Sequence, residues 1–174
     1  KVFLRRLDLI SHPVSGNKYF KLKYNIDYAI KSKLNTIITF GGAYSNPILA
    51  TSIISKENNL KSIGLVRGEE TLPLNSTLTD AVKNGMEIIY LSRKNYRKIN
   101  DEEYLNELRE KYKKSYIIPE GGTNSLAIRG TESIIKSDEK FEYICCPIGT
   151  GGTISGIINS SNHNQKIIGF SAIK

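Results

Sequence analysis

Lys18 and Lys21 stand three residues apart in "SGNKYFKLKYN", residues 15–25. Asn17 can cap a helix there. Its apolar side would be Tyr19, Leu22, Ile26, Ala29 and Ile30, which recur with helical spacing. The two lysines then share a face. A cation in the first turn of a helix opposes the macrodipole. An ordinary solvated basic helix end leaves that small cost unexplained. A lysine that must lose its proton gives it a use. Neighbouring positive charge and desolvation both lower a lysine pKa, and a neutral amine can form a Schiff base. Spacing by itself still favours the ordinary helix end.

The strongest local signal is "CPIGTGGTISGII", where an apolar run delivers Gly149, Thr150, Gly151, Gly152 and Thr153 to a helix start. Glycines let backbone N–H groups approach an anion closely. The hydroxyls of Thr150 and Thr153 add donors, and the helix N-terminus favours negative charge. These features describe a phosphate cradle. No Gly-Lys-Ser/Thr follows, so it is not a Walker loop, and Ile154 breaks the dinucleotide fingerprint. The competing reading, a glycine turn kept only for tight packing, does not account for the two threonines.

In "FGGAYSNP" Asn46 is expected as a helix N-cap, with Pro47 at N1 and Ser45 just outside. Simple capping and a cleft-facing role for Ser45 and Asn46 are equally supported. In "IIPEGGTNSLAIRG" Glu120 and Gly121–Gly122 precede a helix capped by Asn124 or Ser125, and a capped turn is the better reading. His12 and His163 are isolated, so neither a metal cluster nor a His-based triad is expected.

These groups need elements to position them. Strands are expected at 36–42, 62–68, 87–92, 116–122, 143–152 and 166–173. Helices are expected at 46–59, 75–85, 100–115, 125–137 and 153–161. The opening "VFLRRLDL" also reads as strand-like. Strands alternating with helices give βαβ units and a parallel sheet. Continuous apolar strands suggest that both its faces are covered. Ligands of such sheets sit beyond the carboxyl ends of the strands. "GGAYSN", "PEGGTN" and "GTGGT" all fall there.

The 174 residues are 39% hydrophobic and 24% charged, which suits one globular domain or a small two-lobed one. No apolar run reaches the roughly 18 residues of a membrane span, and no secretory signal opens the chain. Cys145 and Cys146 are adjacent and poorly placed to bridge each other, so a reducing, cytoplasmic setting is expected. The net charge is +8, but the lysines are scattered and alternate with acids such as Asp101, Glu102 and Glu110. Neither an RNA-binding aromatic signature nor zinc-finger spacing accompanies them, so no nucleic-acid partner is expected. A basic balance also suits small anionic ligands.

A Schiff-base lysine, a Ser-Asn turn and a phosphate cradle, in that order on an α/β fold, specify pyridoxal 5'-phosphate. "SGNKYFKL", "TFGGAYSN", "PEGGTN" and "CPIGTGGT" together resemble the 1-aminocyclopropane-1-carboxylate deaminase/D-cysteine desulfhydrase family, from about Leu7 to the C-terminus. The resemblance implies an α/β fold of two parallel-sheet lobes, tryptophan synthase β-like (fold type II) and incomplete at the C-terminus. It assigns 1–33 and 121–174 to the larger cofactor lobe and 34–120 to the smaller, with a four-stranded parallel sheet. Lys18 looks like the lysine that binds the cofactor as a Schiff base and then moves the substrate proton. Lys21 matches a supporting positive charge near the cofactor. Asn46 matches the asparagine on the cofactor's ring oxygen, and Ser45 the serine that meets the substrate carboxylate. Thr150, Gly151, Gly152 and Thr153 match the loop that holds the cofactor phosphate. The implied activity is deamination or desulfhydration of a small amino acid such as D-cysteine or 1-aminocyclopropane-1-carboxylate, giving ammonia and a keto acid. A cytoplasmic enzyme is implied, with no membrane partner, and a homodimer at full length.

Departures from the family pattern stand out. Members of the family are considerably longer, and the part without a counterpart here carries the group facing the pyridine nitrogen. Pro47 stands where the family has His or Gln, and proline has no N–H for the substrate carboxylate. Losing one charge-assisted hydrogen bond costs roughly 1.5–3 kcal/mol, or about tenfold or more in affinity. Leu7 in "RRLDL" also replaces an expected acid. The alternative is therefore an inactive homologue that binds cofactor or anions weakly.

Overall fold

The computed structural model describes residues 1–10, 14–136 and 138–172. Its elements run α1 (Asn17–Lys31), β1 (Thr36–Gly41), α2 (Asn46–Glu57), β2 (Lys61–Arg67), α3 (Ser76–Lys83), β3 (Met86–Leu91), α4 (Arg93–Tyr96), α5 (Glu102–Lys111), β4 (Ser115–Ile118), α6 (Ser125–Thr131), β5 (Tyr143–Ile148), α7 (Gly152–Ser160) and β6 (Lys166–Ser171). Short 3-10 turns lie at Leu7–Leu9, Glu120–Gly122 and Glu132–Ile134.

Two compact units result. One comprises 26–121. Its four strands are all parallel, in the order β3-β2-β1-β4. β1 is buried along its whole length and β2 through its five central residues, as continuous apolar strands demand. One core cluster joins Ile38, Phe40, Ile63 and Leu65 to Tyr96, Ile99 and Leu108. A second joins Ile48, Val66, Leu78, Ala81 and Met86.

The other unit comprises 1–25 and 122–174. β5 and β6 pair in parallel, from Tyr143 opposite Lys166 to Ile148 opposite Ser171. Its core gathers Phe20 of α1 with Ile134, Ile144, Cys146 and Ile157.

Several boundaries differ from expectation for identifiable reasons. "VFLRRLDL" forms no strand. Val2, Phe3 and Leu4 are exposed and Leu7–Leu9 make a 3-10 turn. The 116–122 strand stops at Ile118, because Gly121 takes φ 70° and closes a turn. The 100–115 helix spans only Glu102–Lys111, and the preceding turn forms α4, capped by Ser92. The 125–137 helix tightens into a 3-10 turn after Thr131, and Ser137 lies outside the described residues. His12 and the Ile173 end of the 166–173 strand also lie outside them. β5 alternates buried and exposed residues rather than running buried throughout, and Phe170 of β6 is exposed. Among the described residues, one face of this small sheet is exposed.

Candidate functional site

The glycine loop between β5 and α7 needs its glycines. Gly151 sits at φ 83°, the left-handed region that other residues enter at a cost. A Cβ on Gly152 would lie 2.7 Å from Thr123 Oγ1 and 3.1 Å from Lys21 Nζ, so only a glycine lets these groups approach. No side chain caps α7, and its first turn holds no acid. Its first N–H groups have no partner within the helix and point toward the loop.

Lys21 reaches this loop from α1. It is 3% exposed, and its ammonium donates to Thr123 Oγ1 at 3.1 Å and Thr150 Oγ1 at 3.3 Å. Thr123 and Thr150 share a 2.6 Å hydrogen bond. Burial, reinforced by the charge of Lys18, brings the Lys21 pKa down to about 8, with Cys146 acting in the opposite direction. Burial pushes the Cys146 thiol up.

Lys18 is half-buried, and desolvation lowers its pKa. Its ammonium donates to Asn17 Oδ1 at 3.0 Å, while Asn17 Nδ2 donates to Thr153 Oγ1 at 2.8 Å. Asn17 is thus the first residue of α1, and its side chain links Lys18 to the loop. The expected role as cap is not what its amide does. Because Thr153 accepts from Asn17, its own proton can turn toward a ligand.

Thr123 is fixed by an amide pair that the sequence did not reveal. Asn124 Nδ2 donates to Asn25 Oδ1 at 2.7 Å, and Asn25 Nδ2 donates to the Lys21 carbonyl at 2.7 Å. Asn124 Oδ1 also caps α6 by accepting from Ala127 N–H at 2.9 Å. Asn25 is fully buried. The open choice between Asn124 and Ser125 as cap is resolved for Asn124.

Lys18, Lys21, Thr150, Gly151, Gly152 and Thr153 therefore gather in one unit, with Asn17 and Thr123 added. Every one of these side-chain groups is a donor or can be, and one is a buried cation. That set fits a phosphate group. Thr123 was missed because a threonine after two glycines also reads as ordinary turn chemistry.

Ser45 and Asn46 lie in the other unit, beyond the carboxyl end of β1. Here the expectation is corrected by one residue. Ser45 is the N-cap, accepting from Ile48 N–H at 3.4 Å, and Asn46 begins α2. The Ser45 hydroxyl, one place before Asn46, takes the capping role, and Pro47 falls in the first turn where its missing N–H costs no helix bond. A Cβ on Gly41 would lie 2.4 Å from Ser45 Oγ, so the end of β1 must be bare for this turn. As an acceptor in the cap, the Ser45 hydroxyl keeps its proton to donate. Asn46 is exposed.

No family model matches the chain. It is 35% identical, over 90% of its length, to a Thermotoga maritima protein provisionally named a 1-aminocyclopropane-1-carboxylate deaminase, of which it covers 52%. It is 33% identical, over 90% of its length, to the mitochondrial bifunctional D-cysteine desulfhydrase/1-aminocyclopropane-1-carboxylate deaminase of Arabidopsis thaliana, of which it covers 44%. The crystal structure of an ACC deaminase homologue superposes with a TM-score of 0.76 at 27% identity, covering 95% of this chain and 54% of that one. The chain spans about half the length of the relatives it matches. The resemblance read from the motifs extends over nine-tenths of the chain, and the fold is the parallel-sheet α/β fold of the tryptophan synthase β-like kind.

Proposed function

We propose that the chain carries the cofactor-holding portion of a pyridoxal 5'-phosphate-dependent deaminase or desulfhydrase. Its substrate would be a small amino acid of the D-cysteine or 1-aminocyclopropane-1-carboxylate type, and its products ammonia and a keto acid. One observation carries the reading. A buried ammonium and two threonine hydroxyls gather against an uncapped helix start, three residues along a helix from a second, desolvated lysine.

The cofactor, when bound, supplies an electron sink for the charge left by bond cleavage in the substrate. Lys21, Thr150, Gly151, Gly152 and Thr153 hold its phosphate by charge and hydrogen bonds. Lys18 supplies the amine that attaches it and afterwards moves the substrate proton. Desolvation lowers the pKa of that amine and so favours its neutral form. Asn17 orients Lys18. Asn46 is assigned to the cofactor's ring oxygen. Ser45 donates its hydroxyl proton to the substrate carboxylate.

α2 offers that carboxylate little else. Ile48 N–H is taken by Ser45 Oγ and Leu49 N–H by the Ser45 carbonyl, and Pro47 has none. Pro47 is thus the specific observation that favours a second reading, cofactor binding without turnover. The full-length protein is read as a cytoplasmic homodimer without nucleic-acid or membrane partners. Among the described residues no helix is long and apolar enough to cross a membrane.

Titration with pyridoxal 5'-phosphate tests the proposal. A visible absorption band that disappears in Lys18→Ala is expected, and absence of a Lys18-dependent band would sink the cofactor assignment. Release of ammonia or sulfide from the two candidate substrates then separates turnover from binding alone.

A further inference from the structure

Thr123 belongs to none of the glycine loop, the lysine pair or the Ser-Asn turn, yet it occupies the centre of the polar cluster. Its hydroxyl meets Lys21 Nζ at 3.1 Å and Thr150 Oγ1 at 2.6 Å, and Thr150 in turn meets Lys21 at 3.3 Å. The three groups close a ring.

Proton counting sets the direction of that ring. An ammonium has donors and no acceptor, so both hydroxyls must accept from Lys21. Neither can spend its proton on the lysine. The short bond between them consumes one hydroxyl proton and leaves the other to point away. Thr123 is half-buried beneath the loop, while Thr150 is exposed within it. Either hydroxyl can donate in the shared bond; with Thr123 as the donor, the outward proton is that of Thr150, the more exposed of the two. The Asn25–Asn124 amide pair fixes the backbone that presents Thr123.

We propose that Thr123 is a positioning residue that sets the donor polarity of the anion cradle. It turns the Thr150 hydroxyl toward a bound phosphate and keeps the Lys21 ammonium aimed into the loop. This inference rests on the phosphate reading of the loop but adds a residue that reading does not contain. A backbone cradle alone would be indifferent to the side chain at this position.

Removing the hydroxyl has two effects. Thr150 loses its fixed donor, so its proton is no longer directed. Lys21 loses an acceptor in a buried position, which favours its neutral form. The other titratable groups acting on Lys21 are Lys18 of α1, which disfavours the cation, and Cys146 of β5, which favours it. Neither changes in the substitution.

The test compares wild type with T123V, which is close in shape, and T123S, which restores the hydroxyl. Dissociation constants are measured for pyridoxal 5'-phosphate, for pyridoxal and for inorganic phosphate, across pH. T123V is expected to weaken the two phosphate-bearing probes by about tenfold or more, the scale of one charge-assisted hydrogen bond. Pyridoxal binding should not change, the pH at which phosphate affinity halves should move down, and T123S should bind like wild type. Equal weakening of all three probes would mark a general loosening and overturn the proposal. So would unchanged phosphate affinity in T123V. If wild type shows no Lys18-dependent band but binds inorganic phosphate in a Thr123-dependent way, the enzyme reading fails and this inference stands. If wild type binds neither phosphate probe, both fail.

Discussion

At Lys21 the cost of burying a cation becomes a pH dependence. Its pKa is about 8 in the folded chain, against an ordinary value of 10.5. Below about pH 8 the ammonium is charged and anion affinity should be at its fullest. Affinity should fall as pH rises through that value. Stability without anion runs the opposite way. Between about 8 and 10.5 the unfolded chain holds more protons at this site than the folded one. Unfolding free energy should therefore gain from this site as pH rises through that window, while below it the full cost is present. Lys18 and Cys146 are the titratable groups that shape this response. Urea midpoints of wild type and Lys21→Met, measured without phosphate from pH 7 to 10.5, check it. Met should be the more stable at the low end, and the difference should shrink toward the high end. Added phosphate should stabilise wild type below about pH 8 and stabilise Lys21→Met much less. The lysine pair itself was legible in the sequence because both residues lie on one helix. The partners that define its chemistry were not. Thr123 and Thr150 are 102 and 129 residues away along the chain.

At the scale of elements, periodicity found the main helices and strands because each buries a face with its own repeat. Ends proved harder to read, since they depend on capping. Ser45 rather than Asn46 caps α2, because the carbonyls and N–H groups of one turn decide between two equally good capping residues. The short α4 was hidden for a related reason: four residues carry too little periodicity to register. Close packing between helices was likewise invisible. A Cβ on Gly130 of α6 would lie 1.9 Å from the Phe20 carbonyl of α1. The obstructing atom is backbone and cannot rotate away. Gly130→Ala should destabilise the protein by at least about 1–3 kcal/mol, read as a lowered urea midpoint. It should also weaken phosphate binding, since α1 carries Lys21.

For the whole molecule, the two units differ in how they draw on the chain. The two core clusters described above for 26–121 draw only on residues within it. Expressed alone, 26–121 should fold cooperatively, with helix and strand dichroism lost in one urea transition. The segment 122–174 should not fold alone, because its cluster also needs Phe20, Tyr19 and Leu7 from the start of the chain. A structured 122–174 peptide would contradict that view. What the sequence determined by itself was local: alternating strands and helices, a glycine loop at a helix start, and two lysines on one helix face. These follow from backbone sterics and from periods of two and 3.6 residues, which short windows display. Only the tertiary structure decided that residues 17–25, 123–124 and 146–153 share one place, and that Thr123, Asn25 and Cys146 act on Lys21 there. The physical reason is that burial, and the hydrogen bonds that burial makes obligatory, are properties of packing between distant segments. No local pattern encodes which distant hydroxyl will accept a buried lysine's proton.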